Sequence, residues 1–135
     1  MSQGPFTISF QIHHVQRDLH FLSEALDRKP VFCFTAGQAV GSTVRKTSVW
    51  HAQLFGGQTA HDFEQALAAL LQYVEAHRSI LADFADVDAH MEILLSFKVT
   101  PSIDLAHSVQ LHPFVLYQLA SHQIGLKIQT IAQDL

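Results

Sequence analysis

Asp86, Asp88, His90 and Glu92 are the side chains whose types and spacing come closest to chemistry. Residues two apart on a strand share a face, so three carboxylates and an imidazole would project together. Hard oxygen donors with a nitrogen suit several divalent ions, which makes this line the candidate metal site of a small metal-dependent enzyme. Spacing argues the other way. Same-face neighbours on a strand stand about 7 Å apart, so only an adjacent pair could chelate one ion, and other ligands would have to come from a neighbouring strand. The competing reading is the wet side of a half-buried strand, with no metal bound.

A second concentration lies between Gly37 and His51, GQAVGSTVRKTSVWH. It holds the only tryptophan, Trp50, and the Arg45-Lys46 pair, in a chain whose formal net charge is −4. Arg28-Lys29 lies just upstream. If the chain between them folds back, both basic pairs approach one sheet edge and could hold a carboxylate or phosphate, with Trp50 as an apolar wall. Strict alternation puts Lys46 on the face of Trp50 and Arg45 on the opposite one, so the four charges do not all converge. The alternative is a solvated edge whose charges discourage pairing with another sheet.

Nothing else assembles into a reaction centre. His13, His14, His20, His61 and His122 have no metal-ligand spacing, and no HExxH is present. Cys33, between Phe32 and Phe34, reads as sheet interior, where apolar burial raises a thiol pKa and makes it inert. There is no GxSxG, no P-loop and no GxGxxG before a helix. Gly56-Gly57 reads as a plain strand-to-helix turn. No catalytic residue and no cofactor is expected.

The elements that would position these groups are legible from periodicity. Phe6, Ile8, Phe10 and Ile12 alternate with polar residues, as in a half-buried strand. Val15, Leu19, Leu22 and Leu26 then follow a helix face, which Pro30 ends. Val31–Thr35 predicts a short strand, and Ser42–Leu54 a longer one. Thr59 with Asp62 predicts a capped helix start, with Phe63, Leu67, Leu70, Leu71 and Val74 as its buried stripe. Val87 to Val99 alternates again as a strand with one wet side. Leu105–Leu111 suggests another strand. Pro113 and Gly125 frame a helix with Leu116, Leu119 and Ala120 inward, and Leu126, Ile128 and Thr130 form a last strand. The order β-α-β-β-α-β-β-α-β predicts an α+β domain: a mixed, largely antiparallel sheet with helices on one face, ferredoxin-like in its first six elements.

The totals set bounds. The 135 residues fit a single domain spanning 1–135, and 48% hydrophobic with 15% charged residues is a globular composition. The low charged fraction hints at surface covered by a second copy, a homodimer over Phe32 and Phe34. One cysteine excludes an intramolecular disulfide. No basic segment followed by an apolar run opens the chain and no apolar run is long enough to span a bilayer, so a cytoplasmic setting without membrane contact is expected. The negative charge argues against duplex nucleic acid.

Several motifs taken together carry a resemblance. A strand and helix end in Leu26-Asp27-Arg28-Lys29-Pro30, and an Ala36-Gly37-Gln38 turn precedes Arg45 and Trp50. A long amphipathic helix follows, then the Leu111-His112-Pro113 helix start and the Gly125-Leu126-Lys127-Ile128 ending. In these the chain resembles the bacterial domain of unknown function 4279 family. The resemblance implies a small α+β domain with no established activity, so it transfers no catalytic residues. It also implies that Trp50 is a core anchor of the fold. Val31-Phe32-Cys33-Phe34 departs from the more polar segment expected after the proline. The functional expectation is a non-enzymatic binding or protein-interaction module. Its contacts would be Arg28, Lys29, Arg45, Lys46 and Trp50, and its partner an unknown protein or a small anionic ligand.

Overall fold

The alternating residues at the start of the chain form β1 (Phe6–His14), and every second one, Ile8, Phe10 and Ile12, is fully buried. The structure is a computed structural model that describes residues 5–85, 88–99 and 110–132. Beyond β1 the elements are α1 (Leu22–Ala25), β2 (Phe32–Phe34), β3 (Ala39–Val40), β4 (Thr43–Val44), β5 (Ser48–Gly57), α2 (Ala60–Ala76), α3 (Arg78–Phe84), β6 (Ala89–Val99), α4 (Pro113–Ser121) and β7 (Ile124–Ala132).

Five strands form one sheet in the order β2-β5-β1-β6-β7, and β3-β4 is a separate small hairpin. β1 lies between β5 and β6, antiparallel to both, and β2 runs antiparallel to β5. The β1-α1-β2 and β5-α2-α3-β6 units are therefore each split by a strand of the other, which is the ferredoxin-like arrangement. α4 then carries the chain to β7, parallel to β6. The α+β, mixed and largely antiparallel sheet follows the sequence pattern.

One face of the sheet carries Phe10, Ile12, Trp50, Ala52, Met91, Ile93 and Leu95, packed with Leu19, Leu22, Leu70, Val74, Leu81 and Leu119 from the helical layer and its connections. Full burial of each large side chain contributes about 1.5–3 kcal/mol. α2 begins on the predicted capping box. The Asp62 amide donates to Thr59 Oγ1 (3.0 Å), and Asp62 Oδ2 accepts from the amides of Thr59 (3.1 Å) and Gln58 (3.0 Å). These bonds hold the Asp62 carboxyl below its ordinary pKa. Gly57 must be small there: a Cβ would fall 2.6 Å from Asp62 Cβ and 2.9 Å from the Phe6 ring.

Several elements differ from the periodicity. The first helix shrinks to one turn, and Val15 is exposed because its amide continues the strand, donating to the Asp88 carbonyl (3.1 Å). The strand expected over Ser42–Leu54 is divided: Thr43–Val44 belongs to the small hairpin and β5 starts at Ser48. Opposite Ile8 and Ser9 the register of β5 slips from Phe55 to Gln53, making Leu54 the extra residue of a bulge. On α4 the inward residues are Val115 and Leu119, while Leu116 is exposed. Gly125 lies within β7, and Gln123 (φ 60°) makes the left-handed turn before it. Of the strand expected over Leu105–Leu111, residues 105–109 lie outside the described residues, and Leu111 belongs to no strand.

Candidate functional site

With the helices gathered on one side, the second face of the sheet carries no helix among the described residues. Alternation assigns it Phe32, Phe34, His51, Gln11, His13, His90 and Glu92, which the pairing register sets side by side. Phe32 is opposite His51, His51 opposite Gln11, Gln11 opposite Glu92, and His13 opposite His90.

At the β2 corner these side chains form a stack. The His51 and Phe32 rings lie 4.9 Å apart and 6° from parallel, and Phe32 and Phe34 are 5.5 Å apart at 20°. The Arg45 guanidinium closes the row, 5.3 Å above the Phe34 ring. Arg45 reaches it from the arm of the β3-β4 hairpin, anchored by Arg45 N–H to the Gln38 carbonyl (2.9 Å) and Gly37 N–H to the Arg45 carbonyl (2.8 Å). Gly37 has φ 87°, a conformation that glycine adopts without strain. Among the described residues Arg45 has no carboxylate within ion-pair distance, and its Nε is buried without a hydrogen-bond partner. An unpaired donor of this kind costs about 1–3 kcal/mol unless a ligand or water satisfies it.

Toward the middle of the sheet runs a polar relay. His51 Nδ1 donates to Gln11 Oε1 (2.8 Å), and Gln11 Nε2 donates to His13 Nε2 (2.6 Å). A carboxamide has one donor end and one acceptor end, so with both rings neutral one imidazole gives a proton and the other receives one. Burial, above all, lowers the pKa of both rings. For His13 the Glu92 carboxylate opposes this, while His90 and Arg45 add to it; for His51, His13 adds to it. The His13 and His90 rings are 6.2 Å apart.

The predicted site residues are not brought together. Trp50 is fully buried on the helix side, edge-on to Phe10 (centroids 6.4 Å, 87°), and its Nε1 donates to Ser23 Oγ (3.1 Å). It is part of the core and offers no wall to a ligand, because it pairs with Ile12 in the buried set of the alternation. Lys46 is exposed on the link before β5, off the strand, so it does not share a face with Trp50. Arg28 packs over Tyr73 of α2 (4.9 Å) and Phe55 (5.7 Å), away from Arg45, and Lys29 is exposed beside it. The two basic pairs therefore form no common clamp.

In the acidic line, Asp86 lies outside the described residues and Asp88 precedes β6 in an exposed turn. His90 Nε2 and Glu92 Oε2 are 3.4 Å apart. No group of three His, Cys, Asp or Glu side chains placed to hold a metal occurs among the described residues. Cys33 is half-buried on an edge strand opposite Trp50, and burial, with a smaller contribution from Asp18, pushes its thiol pKa up. Its neighbours Phe32 and Phe34 are not sheet interior, because β2 is the outermost strand and their rings lie on the helix-free face. Sequence reading gives Phe32 and Phe34 only as a dimer surface and passes over His51 and His13 as binding groups. The signal available was parity: His51 must point opposite to Trp50.

No helix of the described residues is long and apolar enough to cross a membrane. Comparison of the chain with models of protein families and with curated proteins finds no match.

Proposed function

We propose that the chain is a non-enzymatic binding module whose contact surface is the helix-free sheet face around Arg45, Phe34, Phe32 and His51. Its partner is a protein surface that presents a carboxylate to Arg45. The observation that carries this is the Arg45 guanidinium, held over Phe34 with a buried, unpartnered Nε and, among the described residues, no acidic side chain to neutralise it. Arginine and aromatic side chains are the groups that dominate protein interfaces, and their charge-assisted bonds to carboxylates are among the stronger ones available. The resemblance to the 4279 family adds no residue role to this reading.

The experiment is affinity capture with Arg45→Glu and, as a charge control at an exposed lysine outside the aromatic stack, Lys29→Glu. A partner held by the wild-type and Lys29→Glu chains but lost by Arg45→Glu supports the proposal. An unchanged set of partners with Arg45→Glu refutes it. Light scattering over a range of concentrations identifies the case in which the partner is a second copy, since the dimer would then dissociate on the same substitution.

A further inference from the structure

Below the Arg45 corner, the same face is hollowed into a depression of about 250 Å³ between β5, β1, β6 and β7. Its polar lining includes Lys98, Thr7, Ser9, Ser96, Gln53 and His51, with Gln129 beside Ser96. Val31, Leu94 and Ile131 supply apolar walls. The volume equals about eight waters of liquid, just below the range of about 300–1,000 Å³ usual for small-molecule pockets, so only a small ligand fits. Among the described residues no carboxylate lines it, and Lys98 is the one lysine or arginine in its lining. Among the described residues Lys98 has no ion-pair partner.

Two of the three hydroxyls here, those of Thr7 and Ser9, make no hydrogen bond to a described residue. Ser9 and Ser96 are almost inaccessible, at 5% and 7% exposure. Ser96 Oγ accepts from Gln129 Nε2 (2.8 Å), which leaves its own proton to donate. Neither the Thr7 nor the Ser9 hydroxyl oxygen is sealed from solvent, so each keeps its hydrogen-bonding capacity free. Here they open into the hollow, where a ligand can meet them.

We infer that this depression binds a small hydroxylated organic anion, its carboxylate or phosphate on Lys98 and the serine and threonine hydroxyls, its own hydroxyls on Gln53 and His51. His51 fits the second task. Its Nδ1–H is committed to Gln11 Oε1, so its Nε2 is an acceptor for a ligand hydroxyl. Burial keeps the ring neutral near pH 7, so it adds no second positive charge. Cationic and zwitterionic amines are disfavoured, since no acid among the described lining residues would receive an ammonium. The site shares its face with the Arg45 corner but does not depend on the protein-binding reading.

The test is an amide-detected NMR titration of the full chain with gluconate, glucose 6-phosphate and, as the neutral control, glucose. Saturable shifts at Thr7, Ser9, Ser96 and Lys98 with at least one anion, and binding of glucose weaker by about tenfold or more, are expected from one charge-assisted contact. Lys98→Met should weaken the anion by a similar factor while keeping the folded spectrum, and Arg45→Ala should leave it unchanged. The two anions separate a carboxylate site from a phosphate site. Absence of saturation with both anions, equal binding of glucose, or full affinity in Lys98→Met overturns the inference. Capture by the Arg45 corner would be untouched by any of these results.

Discussion

Trp50 and His51 are consecutive residues on one strand, and they belong to different environments. Trp50 enters a face where Phe10, Ile12, Ile93 and Leu95 are closed off by helices. His51 enters a face that no helix of the described residues covers, where it stacks on Phe32 and bonds Gln11. The two sides of the sheet divide the work of the domain. One supplies stability through apolar burial, and the other keeps hydrogen-bonding and charged groups in reach of solvent. A one-residue change of register would exchange them, which is why the pairing must be strongly specified.

The sharpest way to break this contrast is to truncate both neighbours. Trp50→Ala should cost about 3–5 kcal/mol, as large-to-small changes in a packed core do. His51→Ala should cost far less, since its ring is only partly buried. Urea unfolding followed by circular dichroism compares them, and equal losses would show that the helix-free face is structural too. A smaller effect probes the covered side. The Tyr73 hydroxyl donates to the Leu26 carbonyl (2.6 Å), and burial pushes its pKa up to about 12. Tyr73→Phe leaves that buried carbonyl unpaired and should cost about 1–3 kcal/mol in the same assay.

The smallest effect is a pH dependence that belongs to the uncovered face alone. His13 and His51 have folded pKa values below the ordinary 6.5, so above that value both are neutral in either state and their contribution is fully present. As pH falls from 6.5 through the lowered values, the unfolded chain takes up protons first and stability declines. His13→Gln with His51→Gln should flatten this part of the stability curve. A curve of unchanged slope in the double variant would mean that other groups carry the acid sensitivity.

Much of the fold was legible because local rules and tertiary packing agree. The alternation in Phe6–Ile12 and in the 89–99 strand, the Thr59/Asp62 box and Pro113 at a helix start all name their element directly. The first helix was misread because Leu19, Leu22 and Leu26 are buried from a mostly irregular segment, and burial at helical spacing does not require a helix. The site was far less legible. Alternation says that Phe32, Phe34, His51, Gln11 and His13 each face one side of a strand. Only the strand order β2-β5-β1-β6 makes them neighbours, and no sequence period encodes that order. Trp50 drew attention as a rare residue next to basic ones, but its neighbours in space are Phe10 and Ser23.

That placement has a practical reach in spectroscopy. The chain has one indole, sealed on the covered side with its N–H bonded to Ser23. Its emission therefore belongs to the core: it shifts when the domain opens and stays constant while anything docks on the opposite face. A fluorescence titration that shows no change is thus compatible with a fully occupied surface, and the indole serves best as a clean optical monitor that the domain stays folded while binding is read by other means.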